Sequence, residues 1–232
     1  LKEERVKGTD FEMYRELTGG IYFGEKTLSE DKNTASDLCK YTRAEIERIG
    51  HLAFAAARKR RNILTLVDKA NVLESSRLWR RVITELHESQ YSDVELRFLF
   101  VDNAAMQMIL APSQFDVILT SNLFGDIISD EGSVIGGSIG LLPSASVGAT
   151  HALFEPIHGS FPQGAGKGIA NPIAMILSAA MMLTHFDMDN EAKAITDAVD
   201  LALAQGVCTP DVFPEAAYTT SDVGDFIAKN IV

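Results

Sequence analysis

The chain has 232 residues, of which 46% are hydrophobic and 23% charged, with a formal net charge of −11. That length buries a real core, as one large domain or two small ones, and the acidic balance excludes a nucleic-acid surface as its main business. Its two cysteines, Cys39 and Cys208, have no CxxC spacing, so neither a zinc site nor a disulfide framework is suggested, and a reducing cytoplasm fits.

The segment Gly24 to Asp37 is polar and irregular and is expected to form a long loop or a projecting hairpin arm. From residue 45 onward, helical and strand periods alternate. Ile46, Ile49, Ala53, Phe54 and Ala57 form a helical stripe, ending in the run Arg58-Lys59-Arg60-Arg61, where the helix dipole favours cations. Residues 63–67 are strand-like. Ser75 or Ser76 can cap the next helix, whose Trp79, Val82, Ile83 and Leu86 share one face. A strand over 94–101, a short helix from Asn103, a strand over 115–120 and a helix from about Asn122 follow. This order predicts a largely parallel sheet flanked by helices, with ligands gathering at the carboxyl ends of the strands. Those ends fall at Asp68-Lys69, Asp102-Asn103 and Ser121-Asn122.

Residues 132–150, rich in glycine, read as a flexible crossing into a second domain. Asn171 and Pro172 can then supply the N-cap and first-turn residue of an apolar helix over 172–186, with a further helix over 190–205. The apolar run at 173–183 is too short to span a bilayer, and nothing at the amino end resembles a signal peptide.

Asp126 and Asp130, spaced i,i+4 on a helix, direct two carboxylates the same way. Such like charges repel by roughly 0.2–0.5 kcal/mol, and a cation reverses the sign. Oxygen-only ligation suits Mg²⁺ or Mn²⁺, with Asp102 a natural third ligand. A solvated helix face is the alternative, for which Leu123, Phe124, Ile127 and Ile128 are poor residues. Lys69 is either a surface lysine or a general base whose pKa burial lowers. Arg15 can fork onto a carboxylate and Tyr22 can donate a proton; a strand with a Gly-Gly bulge and a packed aromatic fits the same residues. The run His158, Gly159, Ser160, Phe161, Pro162, Gln163, Gly164, Ala165, Gly166, Lys167, Gly168, Ile169, Ala170, Asn171 leads into a helix, as phosphate-cradling loops do, though it matches neither GxGxxG nor a Walker motif.

Taken together and in unbroken order, RELTGGIYFG, DKANVL, VDNAAMQ, SNLFGDIISDE, GLLPSAS and EPIHGS…AGKGIANP resemble the β-decarboxylating dehydrogenases of 3-isopropylmalate and isocitrate. RELTGGIYFG is similar to the isopropylmalate branch. The resemblance implies an isocitrate/isopropylmalate dehydrogenase-like α/β fold of two domains. Residues 1–140 would be the metal-binding and dimerisation domain, and residues 141–232 the remaining part of the NAD domain. It implies NAD-dependent oxidative decarboxylation of 3-isopropylmalate to 4-methyl-2-oxopentanoate and CO₂, in leucine biosynthesis. A D-malate, tartrate or homoisocitrate paralogue and an inactive dimerisation fragment are the alternatives.

In that family pattern Arg15 binds a substrate carboxylate, Asp102, Asp126 and Asp130 hold Mg²⁺ or Mn²⁺ near the substrate, Lys69 takes the hydroxyl proton and Tyr22 helps protonate the enol carbon. The lysine and the first aspartate come from a partner subunit, implying a homodimer with shared sites. Residues 158–171 would cradle the adenosine part of NAD. Two departures stand out. The chain starts at Leu1 roughly a hundred residues into the family pattern, so an excised or incomplete sequence is expected. Gln163 also stands where the NAD-type pattern has an aspartate, which relaxes the repulsion of a 2′-phosphate.

Overall fold

The computed structural model describes residues 1–232, beginning with a short helix, α1 (Glu3–Val6), and a strand, β1 (Glu12–Arg15). The polar stretch that follows forms an antiparallel hairpin, β2 (Lys26–Leu28) with β3 (Ala35–Asp37). Helix and strand then alternate as α2 (Arg43–Lys59), β4 (Ile63–Asp68), α3 (Glu74–Gln90), β5 (Glu95–Phe100), α4 (Val101–Leu110), β6 (Val117–Thr120) and α5 (Asn122–Ser133). Four of these strands make one sheet in the order β1-β6-β4-β5, and every pairing within it is parallel.

The sheet is covered on both faces, which is why β4 and β6 read as near-continuous apolar runs. Leu64, Leu66, Val117 and Leu119 pack on Phe54 and Ala57 of α2 and on Trp79, Val82 and Ile83 of α3. The alternate residues Val67 and Ile118 pack against Ala104 and Met108 of α4 and Ile128 of α5. Successive side chains of one strand thus feed two cores.

Helix starts differ from expectation in instructive ways. Thr42 caps α2 in a reciprocal capping box with Glu45. At α3 the N-cap position is Leu73, with no side-chain cap, and Ser76 turns inward, its hydroxyl accepting the Lys69 amide at 3.1 Å. Helix α4 begins at Val101 rather than Asn103, so Asp102 lies in its first turn, where the helix dipole favours an anion. The arginines of the basic run at the end of α2 are paired within the chain. Arg58 pairs with Asp93, and Arg60 reaches Asp10, Glu12 and the fully buried Asp116.

The chain divides into two compact units, 1–135 and 136–232. The second contains the antiparallel pair β7 (Pro143–Val147) and β8 (Ala152–Pro156), then α6 (Ile173–His185), α7 (Asp189–Ala204) and α8 (Thr220–Lys229). Its core joins Ile173, Ala198, Val199, Ala202, Val223 and Ile227. Pro172, not Asn171, occupies the N-cap of α6, while the Asn171 Oδ1 one residue earlier accepts the Ile173 amide at 3.0 Å. No helix is long and apolar enough to cross a membrane.

Phe54 is fully buried and stacks on Tyr91 with ring centroids 4.5 Å apart. Phe54→Ala is expected to destabilise the first unit by about 3–5 kcal/mol through lost transfer energy and a residual cavity, with Phe54→Leu costing markedly less. Urea denaturation of both variants checks this, and equal midpoints for the two would contradict it.

Candidate active site

All four strands run in one direction, so their carboxyl ends meet at one edge of the sheet. β1 ends at Arg15, whose register partner in β6 is Thr120, two residues before Asn122. The Arg15 Nε donates to the Asn122 carbonyl (3.0 Å) and to its Oδ1 (3.2 Å), and Nη2 donates to the same Oδ1 at 2.9 Å. Nη1 faces Asp126 Oδ1 at 2.9 Å. Gly125 makes room for the arginine stem, since a Cβ there would meet Arg15 Cγ at 2.5 Å. The guanidinium lies 5.6 Å from the centre of the Tyr22 ring. The neighbouring Asp126 carboxylate raises the Tyr22 pKa above the ordinary phenol value, because it disfavours a second negative charge beside it.

Tyr22 sits on a 3-10 turn, Gly20–Tyr22, rather than on a bulged strand. The turn is set by Glu16, whose 2% exposed carboxylate accepts from Thr18 N (2.9 Å), Thr18 Oγ1 (2.5 Å), Gly19 N (2.8 Å) and Arg48 Nη2 (2.9 Å). Gly20 has φ +77°, and a Cβ there would overlap the Tyr41 hydroxyl at 2.2 Å. That hydroxyl accepts the Asn122 amide at 2.9 Å, and burial pushes its pKa up to about 12, so it stays a neutral phenol.

The second cluster forms where β4 ends. Buried Asp68 takes a two-pronged contact from Arg80, Nε and Nη2 both at 2.9 Å, and accepts the Ala70 amide at 2.9 Å. Arg80 also lies over Phe98 and Phe100, 4.8 and 5.4 Å from their ring centres. This fixes the turn carrying Lys69, whose Nζ donates to Asp102 Oδ1 at 2.7 Å. The Lys69 ammonium holds the Asp102 carboxyl below the usual carboxylate range.

Asp126 and Asp130 share α5, whereas Asp102 stands with Lys69, and the chain brings no three acidic, histidine or cysteine side chains together as a cation site. The donor chemistry suits a hard divalent cation even so. The carboxylates of Asp102 and Asp126 are 65% and 46% exposed, each engaged by a single ion pair and each with further oxygen lone pairs.

In the second unit, residues 158–171 form a largely exposed loop holding a short turn, Pro162–Gly164, with Gly166 and Gly168 at φ +73° and +64°. His158 contacts the Gly159 carbonyl. Phe161 packs on Gly164, while Ser160, Gln163, Ala165, Lys167 and Ile169 are exposed. The start of α8 backs the loop, Thr220 donating to the carbonyls of Gly168 and Ala170. Asn171 Nδ2 donates to Asp211 at 3.0 Å. Ser138 and Thr209 also donate to Asp211, and these donors hold its carboxyl below the usual range against the opposing effect of burial. Glu16, Arg80 and Asp211 escape sequence reasoning, and Asn122 is marked there only as a polar residue at a predicted strand end, with no role assigned.

The family model described as isocitrate/isopropylmalate dehydrogenase matches residues 1–227. The chain belongs to this family. It is 54% identical to the 3-isopropylmalate dehydrogenase of Aquifex aeolicus, over 100% of its own length and 65% of that relative. It is 56% identical to that of Pseudoalteromonas translucida, over 97% and 64%. The chain therefore spans just under two thirds of these relatives. Among solved structures, isocitrate dehydrogenase from Methylococcus capsulatus superposes with a TM-score of 0.90 at 38% identity, covering 97% of this chain and 70% of that one. A β-decarboxylating dehydrogenase from Thermococcus kodakarensis superposes with a TM-score of 0.80 at 40% identity, over 90% and 60%.

Within this family fold the Arg15–Gly125 contact is open to a test that needs no substrate. Gly125→Ala is expected to cost about 1–3 kcal/mol by overpacking against the arginine stem, only partly offset by roughly 1 kcal/mol of helix propensity. Shortening the stem in Gly125→Ala/Arg15→Ala should remove that cost, so a denaturation double-mutant cycle should be non-additive. Strict additivity would mean that the new methyl group does not meet Arg15.

Proposed function

We propose that the full-length protein is an NAD-dependent, divalent-cation-dependent 3-isopropylmalate dehydrogenase of leucine biosynthesis, acting in the cytoplasm as a homodimer. The observation that carries this is the placing of Arg15, Asp126 and Tyr22 in one cluster and Lys69 and Asp102 in another, at the same sheet edge of a chain that belongs to this family. Its similarity to 3-isopropylmalate dehydrogenases at 54–56% identity favours 3-isopropylmalate over isocitrate as the acid.

In this assignment Arg15 binds a substrate carboxylate through its fork. Lys69, in its neutral amine form, would accept the hydroxyl proton, and NAD, when bound, would supply the hydride acceptor for the same carbon, giving a β-keto acid. The bond to the β-carboxylate then breaks, CO₂ departs, and its electron pair stays behind as an enolate. Tyr22 supplies to carbon the one proton that converts this enolate to 4-methyl-2-oxopentanoate. Asp102, Asp126 and Asp130 would hold Mg²⁺ or Mn²⁺, which when bound supplies Lewis-acid polarisation of the substrate hydroxyl and neighbouring carboxylate. Asp102 grouping with Lys69, and not with Asp126 and Asp130, supports a site completed by a second subunit. Residues 1–140 would then form the metal-binding and dimerisation domain and 141–232 the carboxy-terminal part of the NAD domain. Within the latter, residues 158–171 would face the adenosine half of NAD.

With 3-isopropylmalate and Mn²⁺, the full-length enzyme is expected to form NADH. Asp126→Asn should weaken Mn²⁺ binding at least about tenfold, the scale on which even outer-shell partners of a metal act, with a small change in thermal midpoint. Mn²⁺ titration and thermal melting measured together decide this, and unchanged Mn²⁺ affinity would sink the ligand assignment.

A shared site makes a second outcome testable. Lys69→Ala and Tyr22→Phe homodimers each carry a lesion in both sites, whereas a mixed dimer holds one intact site. Co-refolded full-length variants should recover up to about half of wild-type activity per mixed dimer, against single variants lowered about 10²–10⁴-fold by loss of a general acid or base. Verified heterodimers without recovery would place both residues in one subunit's site.

A further inference from the structure

An arginine has two edges that can grip a carboxylate, the side edge of Nε and Nη2 and the end edge of Nη1 and Nη2. Here the side edge is taken. Both of its nitrogens converge on one atom, Asn122 Oδ1, at 3.2 and 2.9 Å, and Nε also reaches the Asn122 carbonyl. The asparagine is 2% exposed, so it is no solvent-facing bystander. Its own orientation is fixed from two further directions. Nδ2 donates to the Gly19 carbonyl at 3.3 Å, and its backbone amide donates to the Tyr41 hydroxyl at 2.9 Å. Turning the carboxamide over would set its amino group against the guanidinium and its oxygen against a carbonyl, leaving neither pair able to bond. Gly19 directly precedes the turn that bears Tyr22, so one buried side chain ties together the arginine and the tyrosine of the proposed site.

We propose that Asn122 is a positioning residue for substrate recognition: as an uncharged acceptor it occupies the side edge of Arg15 without adding a second anion, and so commits the end edge, whose Nη1 faces the partly exposed and exchangeable carboxylate of Asp126 at 2.9 Å, to a carboxylate of the acid substrate. This rests on the role proposed for Arg15. Neutrality matters as much as position. A carboxylate at 122 would hold the same edge but place a second anion on a guanidinium that already faces Asp126, and so weaken its pull on the substrate. An apolar residue would leave the guanidinium free to turn and the Gly19 carbonyl unpaired.

The test is a kinetic double-mutant cycle in the full-length enzyme with Mn²⁺ and NAD, using wild type, Asn122→Ala, Arg15→Met and the double variant. Asn122→Ala should raise KM for the acid about ten- to hundredfold, the scale of one hydrogen bond to a charged group, while KM for NAD stays within about twofold, the scatter expected of sites that do not couple. In the Arg15→Met background the same change should add little, because the residue it acts through is gone. Equal effects in both backgrounds would overturn the proposal and leave the assigned reaction standing. A second variant covers the case in which Asn122→Ala fails to fold. Near-isosteric Asn122→Asp keeps an acceptor on the guanidinium but loses the donor to the Gly19 carbonyl, so its thermal midpoint should fall modestly while KM for the acid in the folded enzyme still rises more than about tenfold, and an unchanged KM there overturns the proposal. The cycle is run on D-malate and isocitrate as well as 3-isopropylmalate. Coupling seen only with one of the first two would uphold the role of Asn122 and refute the substrate assignment, and no turnover of any of the three would overturn both.

Discussion

The parallel direction of β1, β6, β4 and β5 is the constraint on which the rest of the first unit depends. A strand buried on both faces spends its side chains on packing and has none to offer as chemistry. Chemistry is therefore displaced to the residues where each strand stops, and parallel direction puts all of those stops at one edge. Leu64, Leu66 and Val67 fill the two cores, and the next residues along are Asp68 and Lys69. The same change occurs in β6, from Ile118 and Leu119 to Thr120 and Asn122. Backbone polar groups at such an edge need partners. The buried Thr120 hydroxyl donates to the Val67 carbonyl at 2.9 Å, and Ser76 serves the Lys69 amide.

Each cation at this edge already has an anion. Arg15 faces Asp126 and Lys69 faces Asp102, in pairs that remain partly exposed. Exposed pairs of this kind contribute about 0–1 kcal/mol, so exchanging a partner costs little. The pairs that fix geometry are different in kind. Glu16 and Asp68 are each 2% exposed, and losing the donors around them would leave a buried charge unsatisfied. The edge thus combines a rigid layer, Glu16–Arg48 and Asp68–Arg80, with an exchangeable layer directly outside it. That division is what a ligand site requires, since the groups that must change partners are not the groups that hold the turns.

What could be read from the sequence follows the same division. The helix and strand alternation and the placing of Asp126 and Asp130 on one helix are local patterns, and periodicity reports them directly, whereas the irregular segment Gly24 to Asp37 reads only as a loop or a hairpin arm. The caps were less legible. Ser76 has the composition of a cap, but the part-buried amide of Lys69 takes its hydroxyl instead, and Leu73 is left at the cap position. Least legible were the contacts made across the sheet edge. Asn122 lies 107 residues from Arg15 and Arg48 lies 32 residues from Glu16, and neither pair has a spacing rule. The Gly-Gly in RELTGGIYFG was visible, but only the tyrosine ring of Tyr41 explains it, since any side chain at Gly20 would occupy the space of that phenol.

The second unit solves a different problem, and Gln163 shows how. Residues 158–171 lie mostly at the surface, held from behind by Thr220 and at their end by the Asn171–Asp211 contact. Gln163 stands in the middle of the turn Pro162–Gly164, exposed, while the packing there is done by Phe161 over Gly164. Its side chain therefore supports nothing in the fold. A surface position of that kind tolerates exchange within about 0.5 kcal/mol, so its identity is free to follow the ligand. With the loop in its proposed role toward NAD, a carboxylate at this position would repel a 2′-phosphate, and glutamine would not while still bonding a ribose hydroxyl. Under that proposal cofactor discrimination would be adjustable at residue 163 without disturbing Asn171, whose carboxamide is held by Asp211 and the first turn of α6.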